Sequence, residues 1–297
     1  MAIPKEKLER WTAQGAVDTS KSTHESIRKA IKDSEELDGI EFDVYLQGSY
    51  KNSTNIYGES DVDVVVQLNT SWYKDISNLP TVEQNLYNSS YVNATYHLPE
   101  FRSSVLKALI EYFGYSNVSE GNKCIKVKKS SNRLDGDIVV CMQYRDYKEF
   151  IGVNNQNFDE GIKFTTKNGD IIISYPNIHY DNGLIKNSNT NGLFKPTVRL
   201  FKNARSYLIN QNIIDANLAP SFFVECMLYN APNDLFVSNN YDTFLNILKW
   251  LVESFKNDNY TKFMRQDEKS LLFGNSNEQW DFDKSVDFVI KLIELLE

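Results

Sequence analysis

Two aspartates at alternate positions are the residues best placed to do chemistry. Asp61 and Asp63 lie in the run GESDVDVVV, where they alternate with valines. Successive side chains of a strand point to opposite faces, so this spacing predicts a strand with one apolar face. The other face carries both carboxylates, roughly 7 Å apart at about 3.3 Å of rise per residue. Such oxygen ligands suit Mg²⁺, which proteins hold with one or two carboxylates plus substrate phosphates.

A glycine and a serine precede this strand by about a dozen residues. Gly48-Ser49 supplies a flexible backbone and a hydroxyl, and such a turn can bring N–H groups and Ser49 Oγ to a phosphate. A lone D-x-D motif also occurs on surface strands with solvated acids. The combination of Gly-Ser, a polar loop and an Asp-Val-Asp run followed by valines is more specific, and it predicts a phosphate and metal site.

A second acid-bearing strand is predicted over residues 134–144. Asp135 and Asp137 point the same way there, so periodicity does not choose between them. Asp137 directly precedes an Ile-Val-Val run, as Asp63 precedes valines, and Gly136 permits close backbone approach or a bulge. We therefore predict Asp137 as the third carboxylate and Asp135 as an acid of the turn. Three carboxylates on two strands can hold two divalent ions about 3.5–4 Å apart.

These residues resemble the polymerase-β-like nucleotidyltransferases, whose signature is Gly-Ser, a spacer, then two acids alternating with hydrophobic residues. The wider sequence resembles the bacterial cGAS/DncV-like nucleotidyltransferases (CD-NTases), the cyclic-oligonucleotide synthases of anti-phage (CBASS) signalling. The resemblance implies that Asp61, Asp63 and Asp137 are catalytic and bind two Mg²⁺ ions, which Mn²⁺ can replace. It also implies that Gly48 and Ser49 bind the nucleotide.

The resemblance further implies nucleotide contacts from the C-terminal part of the chain. Lys202 matches a lysine that contacts the triphosphate, with Arg199 one turn earlier and Lys195 at the start of the same predicted helix. Ser221-Phe222 matches a serine-aromatic pair in which phenylalanine keeps the stacking face of the more frequent tyrosine. From the residues alone two alternatives stay open. The basic residues could simply form the solvent-exposed face of an amphipathic helix, and Phe222 could belong to the hydrophobic core.

Composition excludes several classes of protein. The 297 residues are 41% hydrophobic and 24% charged, which is typical of a globular protein with one large or two modest domains. The sequence contains no run of 18 apolar residues, so no transmembrane helix is predicted. The N-terminus lacks an apolar signal core. Three cysteines without a C-x-x-C pair fit a reducing compartment, and we expect a bacterial cytoplasmic protein. The net charge of −8 argues against obligate binding of duplex nucleic acid, although nucleoside triphosphates need only a local basic cleft.

Hydrophobic periodicity predicts alternating helices and strands. The lysines of the strand predicted over 123–129 are interpreted as a solvated or protected edge rather than a nucleic-acid patch. The remaining predicted elements are a helical segment over 4–37 with a break near 15–20, a strand over 41–47, loop and short helix over 69–98, a helix over 100–113, a strand over 170–175, a loop with a short helix over 177–196, and helices from 196 and over 219–229, 241–255 and 283–296.

The predicted fold is α/β (α+β): a polymerase-β-like nucleotidyltransferase palm with a mixed twisted sheet, a helical C-terminal (OAS-like) domain, and a nucleotide cleft between them. Residues 1–195 form the catalytic domain with its N-terminal helix, and residues 196–297 the domain that closes the site. The resemblance implies nucleoside triphosphates, ATP among them, as substrates, and a downstream effector activated by the product. Two alternatives remain: the same chemistry on another acceptor (an RNA end, a linear oligonucleotide, a protein or a small molecule), and a non-catalytic nucleotide sensor.

Overall fold

The computed structural model describes residues 3–15, 17–58, 61–276 and 278–296. The chain divides into two compact units. The sheet unit comprises Val17–Tyr50 and Ser60–Asn177, and the helical unit comprises Met1–Ala16, Lys51–Glu59 and Ile178–Glu297. The predicted boundary at 195/196 falls inside a helix of the second unit, whereas the units change at 177/178. The assignment of functions to 1–195 and 196–297 stays a prediction.

One mixed sheet occupies the sheet unit. In the described residues its strands are β1 (Phe42–Leu46), β2 (Val62–Asp75), β3 (Val118–Glu120), β4 (Ile125–Val127), β5 (Gly136–Gly152), β6 (Asn155–Thr165) and β7 (Ile171–Ser174). The order is β1-β2-β5-β4-β3, and β6 pairs with β5 and with β7. Only β2 and β5 run parallel to each other among these pairs. The predicted mixed sheet is confirmed.

Helices are distributed over both units. The described α-helices are α1 (Lys5–Arg10), α2 (Asp18–Lys32), α3 (Gly48–Asn52), α4 (Thr81–Ser90), α5 (Leu98–Phe113), α6 (Pro176–Asn189), α7 (Phe194–Asn210), α8 (Ser221–Tyr229), α9 (Asn240–Lys256) and α10 (Phe282–Glu294). Short 3₁₀ helices span Glu35–Leu37, Tyr115–Asn117, Asn233–Leu235 and Asn259–Lys262. No helix in the described part of the chain has the length and apolarity needed to cross a bilayer.

The core of the sheet unit explains why the central strands are apolar. Val64, Val65 and Val66 of β2 are fully buried, as are Ile138 and Cys141 of β5. Apolar side chains of α2 and α5 join them in one cluster. A strand with neighbours on both edges and packing on its faces has a continuous apolar run in its sequence. Such a run comes directly after Asp63 in β2 and after Asp137 in β5.

The helical unit has a core of its own. Apolar faces of α7, α8, α9 and α10 form one cluster, which Leu8 of α1 joins. Asn239 and Asp281 precede α9 and α10, and their side chains accept the backbone N–H groups of Asp242 and Lys284. Such caps satisfy donors that a helix N-terminus leaves open. The predicted C-terminal helices are therefore confirmed.

Three local predictions differ from the structure. The segment predicted as a loop with a short helix over 177–196 instead holds most of the 14-residue helix α6. Its asparagines and glycine have low helix propensity. However, the Asn182 side chain donates to the backbone carbonyl of Gln266. A Cβ at Gly183 would lie 2.5 Å from Nε2 of the Gln266 side chain. Strand β2 continues to Asp75, and β6 was not predicted. In α6, tertiary contacts override weak local propensity.

The N-terminal segment divides where a break was expected. Helices α1 and α2 are separate, with Gly15 between them. The backbone N–H of Gly15 donates to the carbonyl of Asn55, and a Cβ at position 15 would lie 2.7 Å from the backbone of Ile56. Only glycine allows this close approach of two backbones.

Candidate functional site

Two parallel strands bring the predicted acids together at their first residues. β2 begins at Val62 and β5 at Gly136, and the register pairs Asp63 with Asp137. Residues paired in this way point to the same face, and the strands lie about 4.8 Å apart. Asp61 directly precedes β2. The three carboxylates therefore occupy one region of the sheet unit, as the two acid-bearing strands predicted.

The carboxylates interact electrostatically. Partial burial, reinforced by the negative charge of Asp137, raises the pKa of Asp61 above its ordinary value. Like charges at short range disfavour simultaneous ionisation, so this region favours a bound cation. The side chains do not enclose a ready-made cage: within the described residues no three acidic, histidine or cysteine groups converge on one metal position.

Lys126 of β4 is a neighbour that sequence reasoning did not assign to the site. It is paired in register with Asp137, and its Nζ lies 3.5 Å from Asp137 Oδ1. The pKa of Lys126 is raised, chiefly by the Asp137 carboxylate. The side chain is 51% exposed, so the pair contributes little to stability. Its position shows that the carboxylates attract positive charge.

Asp135 has other contacts. Its Oδ1 accepts the backbone N–H of Lys129 at 2.8 Å, and its carbonyl accepts the N–H of Val62 at 2.8 Å. These bonds hold the turn that leads into β5, which is the role expected of a turn acid. The geometry thus favours Asp137 over Asp135 as the third metal ligand, and the ligand role itself stays a prediction.

Gly48 packs directly against Asp63. Its φ of +67° lies in the left-handed region, and a Cβ at this position would lie 2.3 Å from Asp63 Oδ2. The backbone N–H of Gln47 donates to the carbonyl of Asp63 at 3.0 Å. Gly48 begins helix α3 instead of a simple turn, and the partly buried Ser49 comes next in that helix. Glycine is required here because only a hydrogen fits beside the carboxylate.

Replacing Gly48 with alanine is expected to lower the nucleotidyl transfer that the resemblance implies by about 10²-fold, the loss expected when catalytic groups are misplaced by about 1 Å. The added methyl group would displace the Asp63 carboxylate. The rate of pyrophosphate release would measure the effect. Gly169→Ala is the matched control, because Gly169 also has a positive φ, +90°, but no atom lies within 4 Å of the added Cβ. Equal losses in both variants would show that backbone strain alone is responsible.

Lys202, the predicted triphosphate ligand, lies in a buried network of the helical unit. It is 3% exposed, and its Nζ lies 3.1 Å from Glu225 Oε2 and 3.2 Å from Thr54 Oγ1. Glu225 also accepts Thr54 Oγ1–H at 2.9 Å and the side-chain amide of Asn52 at 3.0 Å. The charge of Lys202 is therefore already compensated. Its assignment as a triphosphate contact stays a prediction.

Glu225 is a second residue that sequence reasoning missed. Burial opposes its ionisation, but Lys202 and His179 outweigh burial and hold the pKa of Glu225 far below its ordinary value. His179 Nε2 lies 3.3 Å from Glu225 Oε1, and because a carboxylate only accepts, this nitrogen carries the donated proton. The available signal was a glutamate inside the apolar run FFVECMLY, since a charged residue is rarely buried unless it is paired.

Ser221 and Phe222 begin helix α8. Phe222 is 40% exposed, whereas the adjacent Phe223 is fully buried, so the core alternative describes Phe223 and not Phe222. One face of the Phe222 ring stacks on His179, with the centroids 5.1 Å apart and 24° between the planes. The structure thus presents an aromatic ring backed by a second ring. Its use for base stacking stays a prediction.

Arg199 and Lys195 are partly buried on α7. The Arg199 guanidinium donates to the carbonyls of Thr12 and Ser53, each at 2.6 Å, so this side chain ties two remote segments to the helix. Burial lowers the pKa of both side chains. Gly48, Ser49 and the three acids belong to the sheet unit, and Lys195, Arg199, Lys202, Ser221 and Phe222 belong to the helical unit.

Known proteins resemble this chain over nearly all of its length. The family model for the cGAS/DncV-like nucleotidyltransferase C-terminal helical domain matches residues 181–297. The cyclic UMP-AMP synthase of Rhodothermus marinus (strain SG0.5JP17-172) is 43% identical over 290 residues, covering 97% of this chain and 96% of that protein. The cyclic nucleotide synthase CdnE01 of Staphylococcus haemolyticus is 39% identical over 297 residues, covering 98% of each. A solved structure of Rhodothermus marinus CdnE c-UMP-AMP synthase with Apcpp and Upnpp has a TM-score of 0.87 and 41% identity, covering 99% of this chain and 96% of that one.

Proposed function

This chain belongs to the cGAS/DncV-like nucleotidyltransferases (CD-NTases), and from that premise we propose that it joins two nucleoside triphosphates into a cyclic dinucleotide. The observation that carries the proposal is the register of β2 and β5, which sets Asp63 beside Asp137 with Gly48 packed against Asp63. The names of its relatives support a cyclic product. UTP and ATP are the first pair to test, because the relative that is 43% identical is named a cyclic UMP-AMP synthase.

The carboxylates fit a divalent cation. Partial burial and the charge of Asp137 raise the pKa of Asp61, and Asp137 attracts the ammonium group of Lys126, so positive charge is favoured at this edge of the sheet. Aspartate oxygens are the ligands that Mg²⁺ prefers, and substrate phosphates commonly complete its coordination. We assign Asp61, Asp63 and Asp137 as the residues that hold Mg²⁺. When bound, the metal supplies charge neutralisation at the phosphates and a lower pKa for the attacking hydroxyl.

The reaction needs two in-line displacements. In each, a ribose hydroxyl oxygen forms a bond to an α-phosphorus, the bond from that phosphorus to the bridging oxygen breaks, pyrophosphate leaves, and the hydroxyl proton is released. The protein contributes positioning and charge rather than covalent chemistry. Gly48 lets the backbone approach Asp63 closely, and we assign the Ser49 hydroxyl to a phosphate. The close contact between Gly48 and the Asp63 carboxylate is therefore part of the proposed mechanism.

We assign further substrate contacts to residues of the helical unit. Ser221 has the hydroxyl for a phosphate, and Phe222 presents an exposed ring for a base. Base stacking on an aromatic ring is tolerant of base identity, so Phe222 does not restrict the choice of triphosphate. We assign the triphosphate to the basic residues of α7, namely Lys195, Arg199 and Lys202.

We place this activity in the bacterial cytoplasm, where the product would activate a downstream effector in anti-phage signalling. The three cysteines, Cys124, Cys141 and Cys226, are buried free thiols. Burial raises the pKa of Cys124 to about 12, which keeps this thiol protonated and unreactive. These features agree with a reducing compartment. The expectation of a downstream effector comes from the family resemblance.

The purified protein should be incubated with all four α-labelled nucleoside triphosphates and Mg²⁺, treated with phosphatase, and its products separated. We expect a phosphatase-resistant product that the Asp63→Asn variant does not make. Omission of one triphosphate at a time would then identify its bases. A product that phosphatase degrades, or label transferred to RNA or protein, would instead show the same chemistry on another acceptor. Absence of magnesium-dependent turnover with every substrate would favour a nucleotide sensor.

A further inference from the structure

A row of charged residues crosses three adjacent strands of the sheet unit. Asp63 of β2 is paired with Asp137 of β5, and Asp137 is paired with Lys126 of β4. Residues that lie directly opposite each other on neighbouring strands carry their side chains on the same face. Asp137 therefore has a carboxylate neighbour on one side and an ammonium neighbour on the other.

The ammonium group of Lys126 interacts with two of the predicted metal ligands. Its Nζ lies 3.5 Å from Asp137 Oδ1, and Asp61 also attracts it electrostatically. Opposite charges at such distances stabilise each other's charged form. Lys126 thus supplies positive charge to the same carboxylates that we assign to a divalent cation.

A protected edge, one interpretation of the lysines over 123–129, does not account for Lys126. Strand β4 pairs with both β3 and β5, so it has no open edge for a lysine to protect. A purely solvated lysine does not account for it either, because its ammonium group lies at ion-pair distance from Asp137. The position of Lys126 is therefore best explained by the acids beside it.

The contact between Lys126 and Asp137 can be exchanged at small cost. The Lys126 side chain is 51% exposed, and an ion pair so close to solvent contributes little to stability. The four-carbon stem of a lysine is also flexible. The pair of Lys202 with Glu225 in the helical unit is the opposite case, because both of its side chains are buried. Lys126 can therefore leave Asp137 when a cation of higher charge binds there.

We propose that Lys126 is a positioning residue that acts as an exchangeable counter-ion: it competes with a divalent cation for Asp137 Oδ1 and so lowers the affinity of the acids for the metal. The inference rests on the proposed function for the ligand role of Asp61, Asp63 and Asp137. A divalent cation and an ammonium group repel each other at close range. The ammonium group must therefore leave Oδ1 before the metal coordinates that oxygen.

This competition links metal binding to the substrate. Acids that Lys126 partly compensates hold a divalent cation weakly on their own. The phosphates of a triphosphate bring further oxygen ligands and negative charge to the metal. The metal is therefore retained mainly when the triphosphate is present, and removal of the Lys126 charge should let the protein alone retain it.

Binding of Mn²⁺ to the full chain without nucleotide tests the competition independently of turnover. Electron paramagnetic resonance measures the free ion, whose signal is lost when it binds. We expect Lys126→Met to lower the dissociation constant about tenfold, the usual scale on which one neighbouring charge shifts an ionic equilibrium. Lys126→Arg keeps the charge and should bind Mn²⁺ as the unchanged protein does. Lys128→Met is the matched control, because the Lys128 ammonium group donates to the carbonyl of Ser116 at 2.8 Å.

The outcomes separate this inference from the proposed function. Unchanged, weaker or absent Mn²⁺ binding in Lys126→Met overturns the inference even if a cyclic product is made, and so does an equal gain in Lys128→Met. A gain confined to Lys126→Met, and lost when Asp137→Asn is added, supports it even if no cyclic product is found. A merely structural role predicts the reverse direction, because a distorted site binds metal more weakly. In an active enzyme, Lys126→Met should also lower the Mg²⁺ concentration that gives the half-maximal rate, by about tenfold.

Discussion

Asp63→Asn and Asp137→Asn are each expected to lower the rate of cyclic dinucleotide synthesis by about 10³-fold or more, the scale on which loss of a transition-state contact acts. Asparagine keeps the shape of the side chain but removes the charge that holds a divalent cation. The two residues are paired in register on the adjacent strands β2 and β5, so each supplies its own carboxylate to the proposed metal site. Initial rates of pyrophosphate release at saturating triphosphate would measure the effect, and circular dichroism would show that the sheet is intact.

Asp135→Asn is the matched control for this experiment. Asp135 lies two residues from Asp137 in sequence, but its carboxylate accepts the backbone N–H of Lys129, a bond that the oxygen of asparagine can also accept. We expect this variant to keep its rate within about threefold, in line with a surface change of small effect. A loss at Asp135 equal to the loss at Asp137 would contradict our choice of the third carboxylate.

Glu225→Gln is expected to destabilise the helical unit by about 3–5 kcal/mol, the usual cost of removing one partner of a buried ion pair. Lys202 and Glu225 are each 3% exposed, so the substitution leaves an ammonium group without its counter-ion in the interior. The glutamine amide would also point donors at groups that themselves donate, Thr54 Oγ1 and Lys202 Nζ. Urea unfolding monitored by circular dichroism would measure the shift in midpoint.

A double variant distinguishes removal of the Lys202–Glu225 ion pair from the cost of leaving a buried charge without a counter-ion. Lys202→Met combined with Glu225→Gln removes both charges, and we expect it to recover much of the stability that Glu225→Gln loses, since neutral replacement of a buried pair is often tolerated. Glu253→Gln serves as the control, because its pair with Lys256 on α9 is about two-thirds exposed and such pairs contribute about 0–1 kcal/mol. Glu225→Gln with a loss as small as that of Glu253→Gln would show that the network carries little energy.

Local patterns in the sequence predicted the elements that carry the acids. The alternation of Asp61 and Asp63 with valines identified β2, and the Ile-Val-Val run after Asp137 identified β5, because a strand's period of two is set by its own backbone. The C-terminal helices were equally readable from their apolar spacing. Elements with weak local signals were not: α6 has four asparagines and one glycine among its 14 residues, and its hydrogen bond from Asn182 to Gln266 joins residues 84 positions apart in the chain.

The sequence by itself thus determined which residues could bind metal and phosphate, and on which strands and helices they lie. The tertiary structure alone decided the pairing of Asp63 with Asp137 and the contact of Gly48 with the Asp63 carboxylate. It also decided that Lys202 is balanced by Glu225. The physical reason is that periodicity reports only the face on which a side chain lies, whereas strand neighbours, burial and charge balance depend on residues far apart in the chain.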